Sequence, residues 1–258
     1  MMITSKDNEL VKEIVKLNSS AKERREKKLF IAEGIRLCRD AMISGAKIVN
    51  FLYTGEAAEK YAKDFDNIRS SAEKSTELSR SIFQKICDTN TPQGFLCLID
   101  TKMGHSLYKV DIGKKYVALE NIQDPSNLGT ILRTAEALGI DGVIISSDCC
   151  DIFSPKVVRG SMGALFRLPF MIAEDFTAFI EQSVKIGISC YGSTPHNAIS
   201  INEVDFSNGG IMLIGNEGNG LCEKTLSVCT EKVKIPMKGR AESLNAAAAA
   251  AILMYSFV

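Results

Sequence analysis

Beyond residue 115 the chain alternates short apolar runs with segments long enough to be helices, and this alternation limits the fold more than any other feature. The runs fall at residues 116–119, 142–146, 188–191, 211–214 and 233–235. Parallel strands can be joined only by a crossover, normally a helix, so the pattern predicts an α/β domain with a mainly parallel sheet and helices on both faces. Topology rules applied to that pattern alone select a plain open, doubly wound sheet.

The first hundred residues read as a smaller α/β unit. An amphipathic stretch at 7–17 is followed by a strand-like run at 29–32, a helical stretch at 34–44 ending at Gly45, and strand-like runs at 48–53 and 95–99. Between 100 and 115 the periodicity is lost and the chain turns polar around Gly104 and Gly113, which places a linker there. A length of 258 residues suits two domains, with the expected division 1–106 and 107–258.

Composition removes several classes of function. The longest apolar stretch, 246–258, falls short of the roughly 20 residues of a membrane span, and the N-terminus lacks a charged-then-apolar signal pattern. The expectation is a cytoplasmic protein with no membrane partner. Eight cysteines (Cys38, Cys87, Cys97, Cys149, Cys150, Cys190, Cys222, Cys229) include no C-x-x-C pair, and the two histidines, His105 and His196, read as loop residues. Reduced, mostly buried thiols and no metal site are expected. A formal net charge of zero argues against indiscriminate coating of nucleic acid. Residues 1–106 are slightly basic, with 18 Lys+Arg against 15 Asp+Glu, and the run 22–28 (KERREKK) suits either RNA phosphates or a solvated helix face.

Three segments carry the chemistry. In 127–139 (NLGTILRTAEALG), Leu128, Ile131, Leu132, Ala135 and Leu138 share one helical face, Gly139 ends the helix, and Asn127 stands as its natural N-cap, worth about 1 kcal/mol. Arg133 lies nearly opposite that face, so it suits an exposed pair with Glu136 or a ligand contact, never the core. Segment 214–221 (IGNEGNGL) places Gly215, Gly218 and Gly220 after a strand, either as a tight turn or for close approach to a ligand. It is neither a P-loop nor a dinucleotide fingerprint. In 235–251 (IPMKGRAESLNAAAAAA), Pro236 stops a strand, Ser243 is a candidate cap, and residues 243–245 open a helix that is apolar all round and expected to be buried.

In this order and spacing the three segments resemble the motif trio of the SpoU family, RNA 2'-O-ribose methyltransferases that use S-adenosylmethionine. FIAEGIRLCRDA (30–41) and TNTPQGFLCLI (89–99) are similar to the ribosomal-protein-like substrate-binding domain of many SpoU proteins. SPKVVRGSMGALFRLP (154–169) is likewise similar, with Arg159 and Ser161 facing RNA or simply forming a glycine-ended helix. The resemblance implies a SPOUT-type α/β domain whose C-terminal segment threads a trefoil knot, which periodicity alone could not indicate.

It further implies catalytic positions at Arg133, Asn127, Glu217, Ser243 and Asn245, and a cofactor lining of Thr194, Gly215, Ile235, Met237 and Leu244. Arg133 would meet the RNA phosphate and the target ribose, as base or as electrostatic stabiliser, and Glu217 would orient Arg133 or its neighbours. The family often has a SLNVS-like run where this chain reads SLNAA, which removes a hydroxyl. The implied partners are RNA, ribosomal in preference to transfer RNA, and a second copy of the chain. Two rivals stand beside this reading. One is a noncatalytic RNA-binding or assembly protein on the same scaffold. The other is a nucleotide-dependent oxidoreductase, which lacks its glycine fingerprint and acidic ribose ligand here.

Overall fold

The apolar runs of the first hundred residues become a four-stranded sheet in the computed structural model, which describes residues 2–102, 106–241 and 243–258. Its elements are α1 (Glu9–Ser19), α2 (Ala21–Lys27), β1 (Leu29–Glu33), α3 (Ile35–Ile43), β2 (Ile48–Tyr53), α4 (Gly55–Lys60), α5 (Ala62–Ser71), β3 (Ser75–Glu77), α6 (Arg80–Ile86) and β4 (Phe95–Asp100). The strand order is β1-β4-β2-β3, with β4 antiparallel to both neighbours and β3 parallel to β2. The expected helices and strands of this unit are all present. The three-residue β3 (STE) was not foreseen, because it carries no apolar alternation.

One core packs Val11, Ile14 and Leu17 of α1 and Ile82, Phe83 and Ile86 of α6 against Ile31, Leu52, Leu96 and Leu98 of the sheet. Asn8 caps α1 by accepting from Leu10 N at 3.0 Å, one residue after the expected start at 7. A second group of rings, Phe51, Tyr53, Phe65 and Phe95, meets at centroid distances of 4.7–6.4 Å.

The second unit contains β5 (Lys115–Leu119), α7 (Pro125–Ala137) and β6 (Gly142–Ser146). The chain then contributes residues 151–166, including α8 (Pro155–Gly160), to the first unit. It resumes the second with β7 (Phe170–Ala173), α9 (Phe176–Lys185), β8 (Cys190–Ser193), β9 (Ile199–Ser200), β10 (Gly210–Ile214), α10 (Glu223–Val228), β11 (Glu231–Lys234) and α11 (Ala246–Phe257). All seven strands are parallel, in the order β7-β6-β5-β10-β8-β11-β9.

Five of these strands match the apolar runs. The run at 188–191 enters the sheet two residues late, because Gly187 (φ +89°) and Ile188, whose N–H donates to Ser183 O at 3.0 Å, still close the end of α9. The two edge strands β7 and β9 were missed, being short and half-exposed. Part of the expected linker, together with His105, lies outside the described residues; 106–114 contains no helix or strand.

Four expectations are corrected or narrowed. The KERREKK run is neither wholly a solvated face nor wholly free for RNA, since Arg24 is 5% exposed. Its Nε binds Asp151 Oδ2 at 2.7 Å and its Nη1 donates to the carbonyls of Leu17 and Asn18, which ties 151–166 into the first unit. Phe153 and Phe166 complete that attachment around Phe30, at 4.8 and 6.1 Å. Of the two readings of 154–169 the glycine-ended helix holds for Ser161, which follows α8, is buried and donates to Val158 O at 2.8 Å, while Arg159 pairs with Asp88 at 2.6 Å.

Of the eight free cysteines only Cys38, Cys97 and Cys190 are buried, and Cys222 is exposed. Burial pushes the Cys190 thiol up to about 12 and Cys229 to about 11, so few of their thiolates exist at neutral pH. Finally, α11 is apolar all round yet buried on one side only: Ala246, Ala247, Ala250, Leu253, Met254 and Phe257 face inward, whereas Ile252 and Tyr255 stand 39% and 75% exposed.

Arg24→Ala removes the charged partner of Asp151 Oδ2 and the donor to two carbonyls. Breaking a buried pair from one side costs about 3 kcal/mol, expected as a lower urea midpoint at unchanged m-value, and Arg24→Lys should recover only part because it lacks the guanidinium fork.

Candidate active site

Four adjacent parallel strands, β5, β10, β8 and β11, end on the same edge of the sheet. The residue after β10 is Gly215, the residue after β8 is Thr194, and the residue after β11 is Ile235, so three of the expected cofactor positions leave neighbouring strand ends. The crevice outside the carboxyl ends of such strands is where open α/β sheets bind ligands.

The segment after β5 differs from its expected form. Asp124, not Asn127, caps α7: its Oδ1 accepts from Ser126 N at 2.8 Å, and Pro125 occupies the first turn, where a missing N–H costs nothing. Asn127 therefore lies inside the helix, 6% exposed, with its amide free to bond elsewhere. Its Nδ2 donates to Glu217 Oε1 at 3.0 Å, and its Oδ1 accepts from Asn245 Nδ2 at 3.0 Å. Asn245 Oδ1 in turn accepts from Ala247 N at 2.9 Å and Ala248 N at 3.3 Å, capping α11. The cap of α11 is thus Asn245; Ser243 is exposed and precedes the helix.

Glu217 gathers further donors, Asp124 N at 3.1 Å and Gln123 N at 3.2 Å. Of the two expected partners, Arg133 and the neighbouring groups, these contacts are with the neighbours. Burial pushes the Glu217 carboxyl up, but the hydrogen bonds from Asn127, Asp124 and Gln123 outweigh this and hold it below its ordinary value. Arg133 is exposed, and six residues beyond Asn127 on an α-helix it stands roughly 9 Å further along the axis and about 120° around it. The alternative partner, Glu136, binds Arg167 Nε at 2.7 Å instead. Among the described residues Arg133 has no ion pair, so its guanidinium is available to a ligand.

The glycine loop is shaped by its own backbone. Asn216 and Gly220 exchange N–H···O bonds of 3.0 and 2.9 Å, and a Cβ on Gly215 would lie 2.1 Å from Gly220 C and Leu221 N. Gly215 is therefore demanded first by closure of the loop. Two residues absent from the sequence reading fasten that loop to the end of β5. Asn216 Nδ2 donates to Asn121 O at 2.8 Å. The buried Glu120 carboxylate accepts from Cys222 N at 2.8 Å and Thr225 Oγ1 at 2.5 Å. A carboxylate directly after a fully apolar strand was the available signal for Glu120.

Thr194 is half-buried, its N donating to Val233 O at 3.0 Å and its Oγ1 accepting from His196 N at 3.3 Å. Ile235 and Leu244 are half-buried and Met237 is 41% exposed, leaving apolar surface on the third segment. S-adenosylmethionine combines an adenine, a ribose and a positively charged sulfonium. The residues present fit that group, with apolar side chains for the adenine, loop backbone at three strand ends for the ribose, and the ionised Glu217 as the local negative charge.

The chain is similar to known proteins along its whole length. Residues 114–255 match the SpoU rRNA Methylase family, and residues 8–97 match the MRM3-like substrate binding domain. The 23S rRNA (guanosine(2553)-2'-O)-methyltransferase RlmP of Bacillus subtilis is 31% identical over 98% of this chain and 97% of its own length. An AdoMet-bound rRNA methyltransferase from Sinorhizobium meliloti superposes with a TM-score of 0.89 at 30% identity, covering 100% of this chain and 97% of that one. AviRb, a SpoU methyltransferase from Streptomyces viridochromogenes solved with AdoMet, gives 0.87 at 26% identity, covering 97% of both chains.

Fold, site and comparisons define the class, an S-adenosylmethionine-dependent RNA 2'-O-methyltransferase with a parallel-sheet domain and an N-terminal substrate-binding domain. Within that class the chain belongs to the SpoU rRNA methylase family.

Because Glu217 is held below its ordinary carboxyl value of 4.5, the unfolded chain takes up that proton first on acidification. Its contribution is complete above the ordinary value and is lost as pH falls through the lower, folded value. Glu217→Gln is expected to flatten the acid limb of urea stability measured at stepped pH.

Proposed function

We propose that the chain methylates a ribose 2'-oxygen in large-subunit (23S) ribosomal RNA, with residues 107–258 other than 151–166 as the catalytic domain and 1–106, to which 151–166 is joined, as the RNA-binding domain. The observation that carries this reading is the Glu217–Asn127–Asn245 hydrogen-bond series, which draws all three motif segments to one edge of the sheet. The full-length similarity to RlmP favours the ribosomal substrate.

Thr194, Gly215, Ile235, Met237 and Leu244 would hold S-adenosylmethionine, which supplies a methyl group already activated on a sulfonium. In the transfer the 2'-oxygen forms a bond to the methyl carbon, the carbon–sulfur bond breaks with its electron pair going to sulfur, and the hydroxyl proton leaves to base or solvent. Asn127, Ser243 and Asn245 position the ribose, and Glu217 fixes Asn127. Arg133 holds the neighbouring phosphate and offsets the negative charge that develops on the 2'-oxygen. Its guanidinium, with a pKa above about 12, suits that task better than proton abstraction.

The C-terminal segment forms a trefoil knot in this reading. After β11 the chain returns past β8 and β10 to lay α11 against α7 and β10, and Asn245 meets Asn127 beside the 215–221 loop. The exposed apolar face of α11, with Ile252 and Tyr255, supports a homodimer. No helix among the described residues is long and apolar enough to cross a membrane, in keeping with a cytoplasmic enzyme.

Incubation with tritiated S-adenosylmethionine and total RNA from a strain lacking this gene tests the reading. Wild type is expected to label 23S rRNA at one ribose. Arg133→Ala should lower the rate by roughly 10²-fold or more while S-adenosylmethionine binding persists. Label confined to transfer RNA would move the substrate there. Cofactor binding without any labelled RNA would favour the noncatalytic RNA-binding protein.

A further inference from the structure

The TNTPQG segment, part of the N-terminal resemblance, has no role in the catalytic site. In the first unit it lines a solvent-open depression of about 380 Å³, together with Thr54, α4, Tyr61 and α6. That volume falls within the roughly 300–1,000 Å³ of small-ligand sites.

The cavity floor is built in advance. Thr54 N donates to Gly94 O at 3.0 Å, and Gln93 Oε1 accepts from Ile35 N at 3.1 Å, so the loop is fastened on two sides. Gly94 has φ +87°, and a Cβ there would stand 2.5 Å from Ala57 Cβ and 2.6 Å from Thr54 Oγ1. Only glycine lets the loop seat this closely. Tyr61 is half-buried, edge-on to Phe95 at 6.1 Å, with Lys60 Nζ 5.2 Å from its ring centroid.

Part of the polar lining is committed to the fold, Thr54 to the cap of α4 and Gln93 to Ile35 N, and part is not. Polar side chains elsewhere in this unit serve as caps, with Asn8, Ser20 and Ser79 each accepting a helix N–H. The exposed side chains of Gln84, Asn90 and Thr91 line the cavity without a hydrogen bond to any described residue. Among the described residues Arg80 reaches only Glu56, at 3.4 Å, and both side chains are about 70% exposed, a pair of little strength.

Each feature answers one part of a nucleotide. Amide side chains offer the paired donors and acceptors that read a base edge, an aromatic ring meets the base, and cations meet phosphate. A simple anion would have no use for the amides and ring, and Glu56 would oppose a highly charged one. From this combination we infer that the cavity receives a single unpaired nucleotide of the RNA substrate, with its base against Tyr61, Gln84 and Asn90 and its phosphate towards Lys60 and Arg80. The inference rests on the reading that the chain acts on RNA, and it specifies that the RNA is gripped at an unstacked residue apart from the methylated one.

The test uses the full chain and deproteinised 23S rRNA from the strain lacking this gene. Gln84→Ala/Asn90→Ala removes the base-edge contacts, and Thr91→Trp fills the cavity from its exposed rim. Each is expected to raise KM for RNA about tenfold, the loss of one stacked or hydrogen-bonded base, with S-adenosylmethionine affinity retained. Ultraviolet crosslinking of wild type to the same RNA should mark the peptide spanning 80–94, and free nucleoside monophosphates should not compete. If wild type methylates the RNA, crosslinks fall only elsewhere and both variants keep the wild-type KM, the cavity assignment is overturned and the enzyme reading stands. If wild type neither binds nor methylates any RNA, both fall. Efficient competition by a free monophosphate would make this a small-molecule site and overturn the inference. A misfolded variant leaves the decision to the wild-type crosslink.

Discussion

Asn127 offers one carbonyl and one amino group, and the structure uses both to join segments 90 and 118 residues away in sequence. The direction of the bonds is forced. An ionised Glu217 can only accept, so Asn127 must present Nδ2 to it, which leaves Oδ1 to accept from Asn245 Nδ2 and leaves Asn245 Oδ1 to cap α11. A carboxylate at position 127 would repel Glu217, and an apolar residue would strand two polar partners. The side chain can do this only because Asp124 and Pro125 start α7 before it, relieving Asn127 of the capping task.

Around this series the supports are layered. Glu120 and Asn216 bind the glycine loop to the end of β5, and Gly215 lets that loop close on itself. The loop backbone is thereby ordered before any ligand arrives, which lowers the cost of binding one. Arg133 sits in the opposite condition, exposed and without an ion pair among the described residues, on a face of α7 turned away from Asn127. A fastened loop at the strand ends and an exposed cation further along α7 suit a reaction in which one reactant is held closely and the other is a large polyanion.

Much of the sheet was legible because its central strands are fully buried on both faces and read as unbroken apolar runs, as in β6 (GVIIS) and β10 (GIMLI). Edge strands carry no such mark, so β7 and β9 were invisible. The attachment of 151–166 to the first unit was also hidden, since an apolar helix face does not state which core will bury it; Arg24, Phe30 and Asp151 decide that through tertiary contacts. At the site the motif residues were identifiable and their partners were not. Asn127 looked like a cap because a cap is the commonest local use of asparagine. Glu217 read as orienting Arg133 or its neighbours, and which neighbours could not be read: they are backbone N–H groups of the segment after β5 and the amide of Asn127.

The most direct test of this account is a double-mutant cycle on urea stability with Asn127→Ala, Asn245→Ala and the pair. Each residue has a separate partner, Glu217 for one and the α11 N–H groups for the other, so only the cycle isolates the bond between them. A coupling of about 1 kcal/mol is predicted, the double mutant losing less than the sum of the singles. Strict additivity would mean that the two amides act independently and that the three segments are held together by something else.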